Sequence, residues 1–224
     1  MHNIDEKFTN WCNSISNQAE SIIYEQVLAD INLLHQNGVC SFKTMLDKLK
    51  DREPAFISSV CHLIFRKPIK GSVNVLRPLL NHDSSYVRSQ VIWALQRFES
   101  TKAVLDLLKI AETDSDLEIR CGAINTLGFM FNKRAAYRLR RMLKNKTEHD
   151  EIRANAAEAL ANIGDRKSIR LLIASTYDPS PLIRFWACYG LGQIPHKRSI
   201  SRLKHLSEND NGTIIPWYQY VMRQ

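Results

Sequence analysis

An all-α fold of stacked antiparallel helix pairs is what this sequence predicts, on three observations. Arginine recurs at Arg88, Arg120, Arg153 and Arg184, at spacings of 32, 33 and 31 residues. Seven residues after each comes a leucine, Leu95, Leu127, Leu160 and Leu191, preceded by a small residue, Ala94, Thr126, Ala159 and Gly190. Each period then holds two stretches with apolar residues at helical spacing rather than the alternation of a strand. A fixed period in this range marks an array in which each unit buries its apolar face against the next.

The elements follow in order. "AESIIYEQVLADINLLHQNG" and "SFKTMLDKLKD" form a divergent first pair, and "DREPAFISSVCHLIF", beginning at Asp51, is followed by "GSVNVLRPLL". The clear units open with "DSSYVRSQVIWALQRF", "DSDLEIRCGAINTLGFM", "HDEIRANAAEALANIGD" and "DPSPLIRFWACYGLGQI". Their first helices start after Asp, Ser or Pro, residues suited to the cap and first turn. In the third, Ile152, Ala156, Ala157 and Leu160 make one apolar stripe, and Gly164-Asp165 stops the helix. Second helices follow as "KAVLDLLKIAE", "RAAYRLRRMLK", "KSIRLLIASTY" and "RSISRLKHLSE", aligning Leu107, Leu139, Leu172 and Leu203. "DNGTIIPWYQYVMRQ" starts at Asp210, 32 residues after Asp178, with Pro216 where the arginine stood, and reads as a half-repeat cap. No linker divides the chain, so the expectation is one domain over 1–224: a divergent repeat or cap at 1–50, repeats over 51–208, and a cap at 209–224.

Composition bounds the rest. With 44% hydrophobic and 24% charged residues the chain is ordinary for a globular protein, and its net charge of +8 favours acidic partners. The N-terminal stretch has acids early and no apolar run, so neither a signal peptide nor a membrane span is expected. Five scattered cysteines without a CxxC spacing fit a reducing compartment, and a cytoplasmic location is expected.

From about Asp83 to Glu208 the units resemble the HEAT-like repeats of the phycobilisome (PBS) lyase type, whose unit reads as an acidic residue, Val/Ile-Arg, a small-residue-rich helix, then a second helix. That resemblance implies a right-handed α-solenoid of about six HEAT-like repeats, with second helices lining a concave face. Since such arrays mostly bind other macromolecules, it also implies a non-enzymatic protein–protein interaction module. An adaptor or an immunity-like inhibitor of a cognate toxin is the specific expectation.

The recurring arginines read as structural, each pairing with a helix-start carboxylate such as Asp178 or with a nearby carbonyl. Chemistry is thinly represented. Seven histidines include no HExxH and no His-Glu step, whereas metal-binding HEAT-repeat hydroxylases carry His-Glu dyads in matched repeats. His149-Asp150 reads as a helix start, and Cys121 and Cys188 as packing residues. No G-x-S-x-G, P-loop or GxGxxG occurs, so no catalytic residue, cofactor or metal is expected, and the chain reads as no enzyme. Two alternatives remain. A nucleic-acid-binding protein like the helical-repeat DNA glycosylases would enlist Trp93 and Trp186, and a bilin-lyase-like subunit would need a partner subunit and a pigment.

The clearest functional signal is electrostatic. Lys133 to Lys146 holds seven basic residues and no acid, and the last full unit adds Lys197, Arg198, Arg202, Lys204 and His205. Arg134, Lys167 and Arg198 share one aligned position; Arg138 and Arg202 share another that breaks at Leu171. The candidate partner-binding residues are therefore Arg134, Arg138, Arg141, Lys167, Arg198, Arg202 and His205, with Arg138, Arg141 and Arg202 expected to face outward. Phe185, Trp186 and Tyr189 form a possible aromatic edge, either covered by Trp217 and Tyr218 or open as a contact patch. An acidic protein is the expected partner. Affinity for DNA or RNA is expected to be weak, independent of sequence and steeply salt-dependent.

Overall fold

The computed structural model describes residues 54–66, 68 and 71–209, and among these every regular element is helical. The expected cap at 1–50 and residues 210–224 of the C-terminal cap lie outside the described residues. The chain divides into two compact units, one ending at Phe98 and one beginning at Glu99.

In the first unit, α1 (Pro54–Arg66), α2 (Ser72–Leu79) and α3 (Ser85–Leu95) pack through Ile57, Val60, Ile64, Leu76, Val91 and Leu95, all fully buried. Gly71 precedes α2 at φ 96°, a left-handed conformation in which a side chain is strained. Trp93 stacks on Phe65 at 3.7 Å between ring centroids, and Tyr86 donates to Ser58 Oγ at 3.0 Å.

The second unit holds α4 (Thr101–Thr113), α5 (Leu117–Phe129), α6 (Ala136–Lys144), α7 (Asp150–Ile163), α8 (Ile169–Ser175), α9 (Pro181–Gln193) and α10 (Lys197–Asn209). Short 3₁₀ turns, Lys133–Ala135 and Arg166–Ser168, lead into α6 and α8. The boundaries follow from side chains that satisfy free backbone groups. Ser100 Oγ accepts from the Ala103 amide at 3.3 Å, Asp116 Oδ1 from Glu118 at 2.9 Å, and Asn132 Oδ1 from Arg134 at 3.0 Å. Gly164, at φ 67°, ends α7, and the Asp165 amide closes back onto the Leu160 carbonyl at 3.1 Å.

First helices α5, α7 and α9 stack side by side, and second helices pack beneath them. Small residues permit a close stack: a Cβ added to Gly128 would lie 2.8 Å from Ala159 Cα. Leu127, Leu160, Leu107, Leu139 and Leu172 are fully buried, and Leu191 and Leu203 nearly so. Each such side chain contributes about 1.5–3 kcal/mol by leaving water. This is the helical-pair solenoid that the period predicts.

The repeat arginines have the structural role expected of them, in two forms. Arg88 and Arg184 donate to their own entry loops: Arg88 to the His82 and Asp83 carbonyls at 2.9 and 3.0 Å, Arg184 to Asp178 and Pro179 at 2.9 and 2.8 Å. Arg120 and Arg153 reach further. Arg120 Nε donates to the Ala111 carbonyl at the end of α4 at 2.9 Å, and its Nη2 pairs with Glu148 at 2.8 Å. Arg153 Nε donates to the Leu143 carbonyl at the end of α6 at 3.4 Å, and its guanidinium pairs with Asp178.

Candidate functional site

The second helices and the turns leading into them carry most of the exposed positive charge of the second unit. Four cations occupy one repeat position each: Lys102, Arg134, Lys167 and Arg198, all exposed. None of the four has a carboxylate partner among the described residues; Arg134 donates to Thr101 Oγ1. Lys102 is the rung that the sequence alignment missed, although it stands two residues after Ser100 at the start of α4 and was open to the same alignment. A second row, Lys109, Arg141 and His205, is also exposed, broken by Ala174. Between the rows stand Leu105, 55% exposed, and Tyr137, 64% exposed, an apolar strip flanked by cations.

Two of the candidate arginines sit otherwise. Arg138 is half-buried and committed to Glu112, with Nε 2.8 Å from Oε1 and Nη2 on Oε2. Arg202, expected to face outward, is buried: Nε donates to Thr176 Oγ1 at 2.9 Å, and its guanidinium lies 3.9 Å above the Tyr177 ring. The physical reason is Tyr177, whose aromatic face takes the cation where the equivalent residues, Glu112 and Lys144, offer none. His205 Nδ1 lies 3.3 Å from Arg202 Nη1. The basic run is partly neutralised as well, since Arg140 pairs with Asp165 and Lys146 with Asp178.

Phe185, Trp186 and Tyr189 lie elsewhere, on first helix α9, each half-buried. Trp186 meets Phe185 edge-on at 5.2 Å and Tyr189 at 5.3 Å. Trp217 and Tyr218, expected to cover them, lie outside the described residues.

Electrostatics separate the structural carboxylates from the rest. The Arg120 hydrogen bond holds the Glu148 carboxyl below its usual pKa. Burial pushes Asp178 up, but hydrogen bonds from Arg153, Lys146 and the Ser180 amide outweigh it and leave the carboxyl below its usual value. Burial raises the Cys61 thiol to about 12 and, with help from Glu151, the Cys121 thiol to about 11, so neither is a ready nucleophile. Among the described residues no group of three or more His, Cys, Asp or Glu is placed to hold a metal. No helix among them is long and apolar enough to cross a membrane.

Stacked helix pairs with a recurring arginine define the class, an α-solenoid of helical repeats. A family model for HEAT repeats matches residues 43–120, 73–150 and 146–215, and the chain belongs to that family. Over 129 residues it is 34% identical to deoxyhypusine hydroxylase-B of Oryza sativa subsp. japonica, a match covering 57% of this chain and 42% of that protein. The chain thus spans about two fifths of that relative's length. Its fold is similar to the complex of CpcE and CpcF of phycocyanin lyase from Nostoc sp. PCC7120, with a TM-score of 0.58, 17% identity, and coverage of 82% of this chain and 76% of that one. A designed armadillo repeat protein in complex with the peptide (KR)4 matches with a TM-score of 0.51 and 17% identity, covering 89% of this chain and 98% of that one. Both are likenesses of fold.

These matches correct the expectation of a non-enzymatic scaffold, adaptor or immunity-like inhibitor, and with it the reading of the chain as no enzyme. The curated relative is an enzyme built on the same kind of repeat, so absence of a short catalytic motif does not make such a chain non-catalytic. The residues present do not fit a metal held by His-Glu dyads: no histidine in the chain is followed by glutamate, and the His149 ring lies 3.5 Å from the Glu151 carboxylate while its backbone amide donates to Glu148.

Proposed function

We propose that this chain is the substrate-holding part of an enzyme and that its second-helix face seats an acidic stretch of a protein. The observation that carries the reading is the row Lys102, Arg134, Lys167 and Arg198, one exposed cation per repeat with no carboxylate partner among the described residues. Solvated cations at a regular interval attract a chain of opposite charge and let it slide into register before apolar contacts form. Leu105 and Tyr137 supply such contacts beside the row. Enzymatic context comes from the rice hydroxylase. The (KR)4 peptide held by the designed armadillo protein is basic; here the exposed row is basic, and the complementary peptide is acidic. Scattered cysteines without a CxxC spacing suit a reducing cytoplasm.

A fluorescent oligoglutamate peptide and a single-stranded DNA of mixed sequence test the row by anisotropy. Lys167→Glu with Arg198→Glu weakens peptide binding while the melting temperature holds, since both side chains are exposed. Equal binding by wild type and variant overturns the face. DNA bound more tightly than peptide, and still bound at physiological salt, replaces the protein by a nucleic acid. Proteins captured by the wild type and lost by the variant are then compared by intact mass between cells with and without this chain. No mass difference in any of them overturns the enzymatic context.

A further inference from the structure

A second site is visible on the first helices, apart from the basic row and independent of the reading above. Among the described residues, the other buried or half-buried carboxylates are partnered. Glu148, Asp165 and Asp178 pair with arginine or lysine, Asp114 and Asp116 accept backbone amides, and Asp106 has a partner too. Glu158 on α7 is half-buried and, among the described residues, neither accepts a hydrogen bond nor meets a cation. Burial pushes its carboxyl above the usual value, as an unpartnered charge leaving water requires.

Its neighbours in the stack are an amide and two aromatic rings. Two residues before each repeat leucine stand Asn125 on α5, Glu158 on α7 and Tyr189 on α9, three stacked helices in one register. Close approaches hold that register: a Cβ at Gly128 would lie 3.5 Å from Asn162 Nδ2, and one at Gly190 would lie 3.4 Å from Ala161 Cβ. Asn125 Oδ1 is buried and has no hydrogen-bond partner among the described residues. On the other side of Glu158 the Tyr189 ring meets the Trp186 indole at 5.3 Å. Glu158 is near enough for its charge to act on the Tyr189 phenol, whose pKa is raised first by burial and then by that carboxylate.

We propose that Glu158, Asn125, Tyr189 and Trp186 form a binding site for a primary alkylammonium group. Carboxylate and amide oxygens accept hydrogen bonds, so a ligand that carries several N–H groups complements both Glu158 and Asn125 Oδ1. Carboxylate charge excludes anions, and aromatic faces attract a cation further. One carboxylate and one amide oxygen are too few for a hard metal ion, which takes six or so oxygens. A compact ammonium on an apolar stem fits all four side chains.

The test follows the Trp186 indole N–H by NMR, assigned with Trp186→Phe, in the full chain at neutral pH. The probes are n-butylammonium, n-butanol, tetramethylammonium and an acetylated tripeptide containing lysine. The expected result is a saturable shift with butylammonium, none with butanol, a weaker one with tetramethylammonium, and roughly tenfold weaker butylammonium binding by Glu158→Gln. Glu158→Gln removes no existing contact, so its spectrum away from the site reports an intact fold. Tighter binding of the tripeptide identifies a protein lysine as the source, and equal binding a free amine. Equal shifts with butanol, no saturation, or a Glu158→Gln variant that binds as wild type overturns the site.

Discussion

Arg153 and Asp178 join two consecutive repeats with both charges out of water, at 4% and 3% exposure. Breaking one side of a buried pair leaves the other charge uncompensated, at a cost of about 3–5 kcal/mol. Asp178→Asn keeps the shape and removes the charge, so urea denaturation should show a loss of that order. Arg153→Met with Asp178→Asn should cost less than the two single losses added together. If the losses simply add, the pair is not coupled across the repeats.

The pH dependence has a definite sign. Glu148 and Asp178 have folded-state pKa values below their usual ones, so the stability they supply is present above the unfolded values, about 3.9–4.3, and is lost as pH falls through the folded values. Melting temperature should therefore hold from neutral pH to about 5 and then fall. Glu148→Gln should fall less steeply over the acid range, and an identical acid limb would remove Glu148 from this account.

Glu158 has the opposite sign. Its raised pKa makes the folded state favour the protonated carboxyl, so stability is greatest below the unfolded value and declines as pH rises through the folded one. Glu158→Gln should raise the melting temperature at neutral pH and leave it unchanged near pH 3, measured by calorimetry without added amines.

Two glycines of α5 separate a packing contact from an open face. Gly128→Ala drives a methyl into the Ala159 backbone and should cost about 1–3 kcal/mol. Gly122→Ala meets nothing within 4 Å and should stabilise the helix by about 1 kcal/mol through propensity. Equal effects in thermal denaturation would show that α5 and α7 are not in close approach.

Much of the fold was legible because one residue type marks each unit. Arg88, Arg120, Arg153 and Arg184 fix the period, and Leu127 and Leu160 fix the buried face. The site was less legible, because pairing across repeats depends on side-chain reach. Arg138 and Arg202 share an aligned position, yet one takes Glu112 and the other turns inward over Tyr177. No spacing rule encodes that difference; a tyrosine at 177 in place of glutamate or lysine was the available signal. Nothing in the sequence marks Glu158, since lack of a partner is visible only when every neighbour is placed. Enzymatic kinship was hidden for another reason: it rests on identity spread over 129 residues, with no compact motif to find.

Arg120 and Arg153 each clasp the helix end behind them and the loop ahead, at offsets of 28 and 25 residues to their carboxylates. Offsets shorter than one period mean that a whole unit can be duplicated or excised with its clasps intact. Loss of a single residue inside α5 or α7 would instead rotate the arginine away from both partners at once. Such a chain can change length over evolutionary time in full repeats and is closed to smaller steps within its helices.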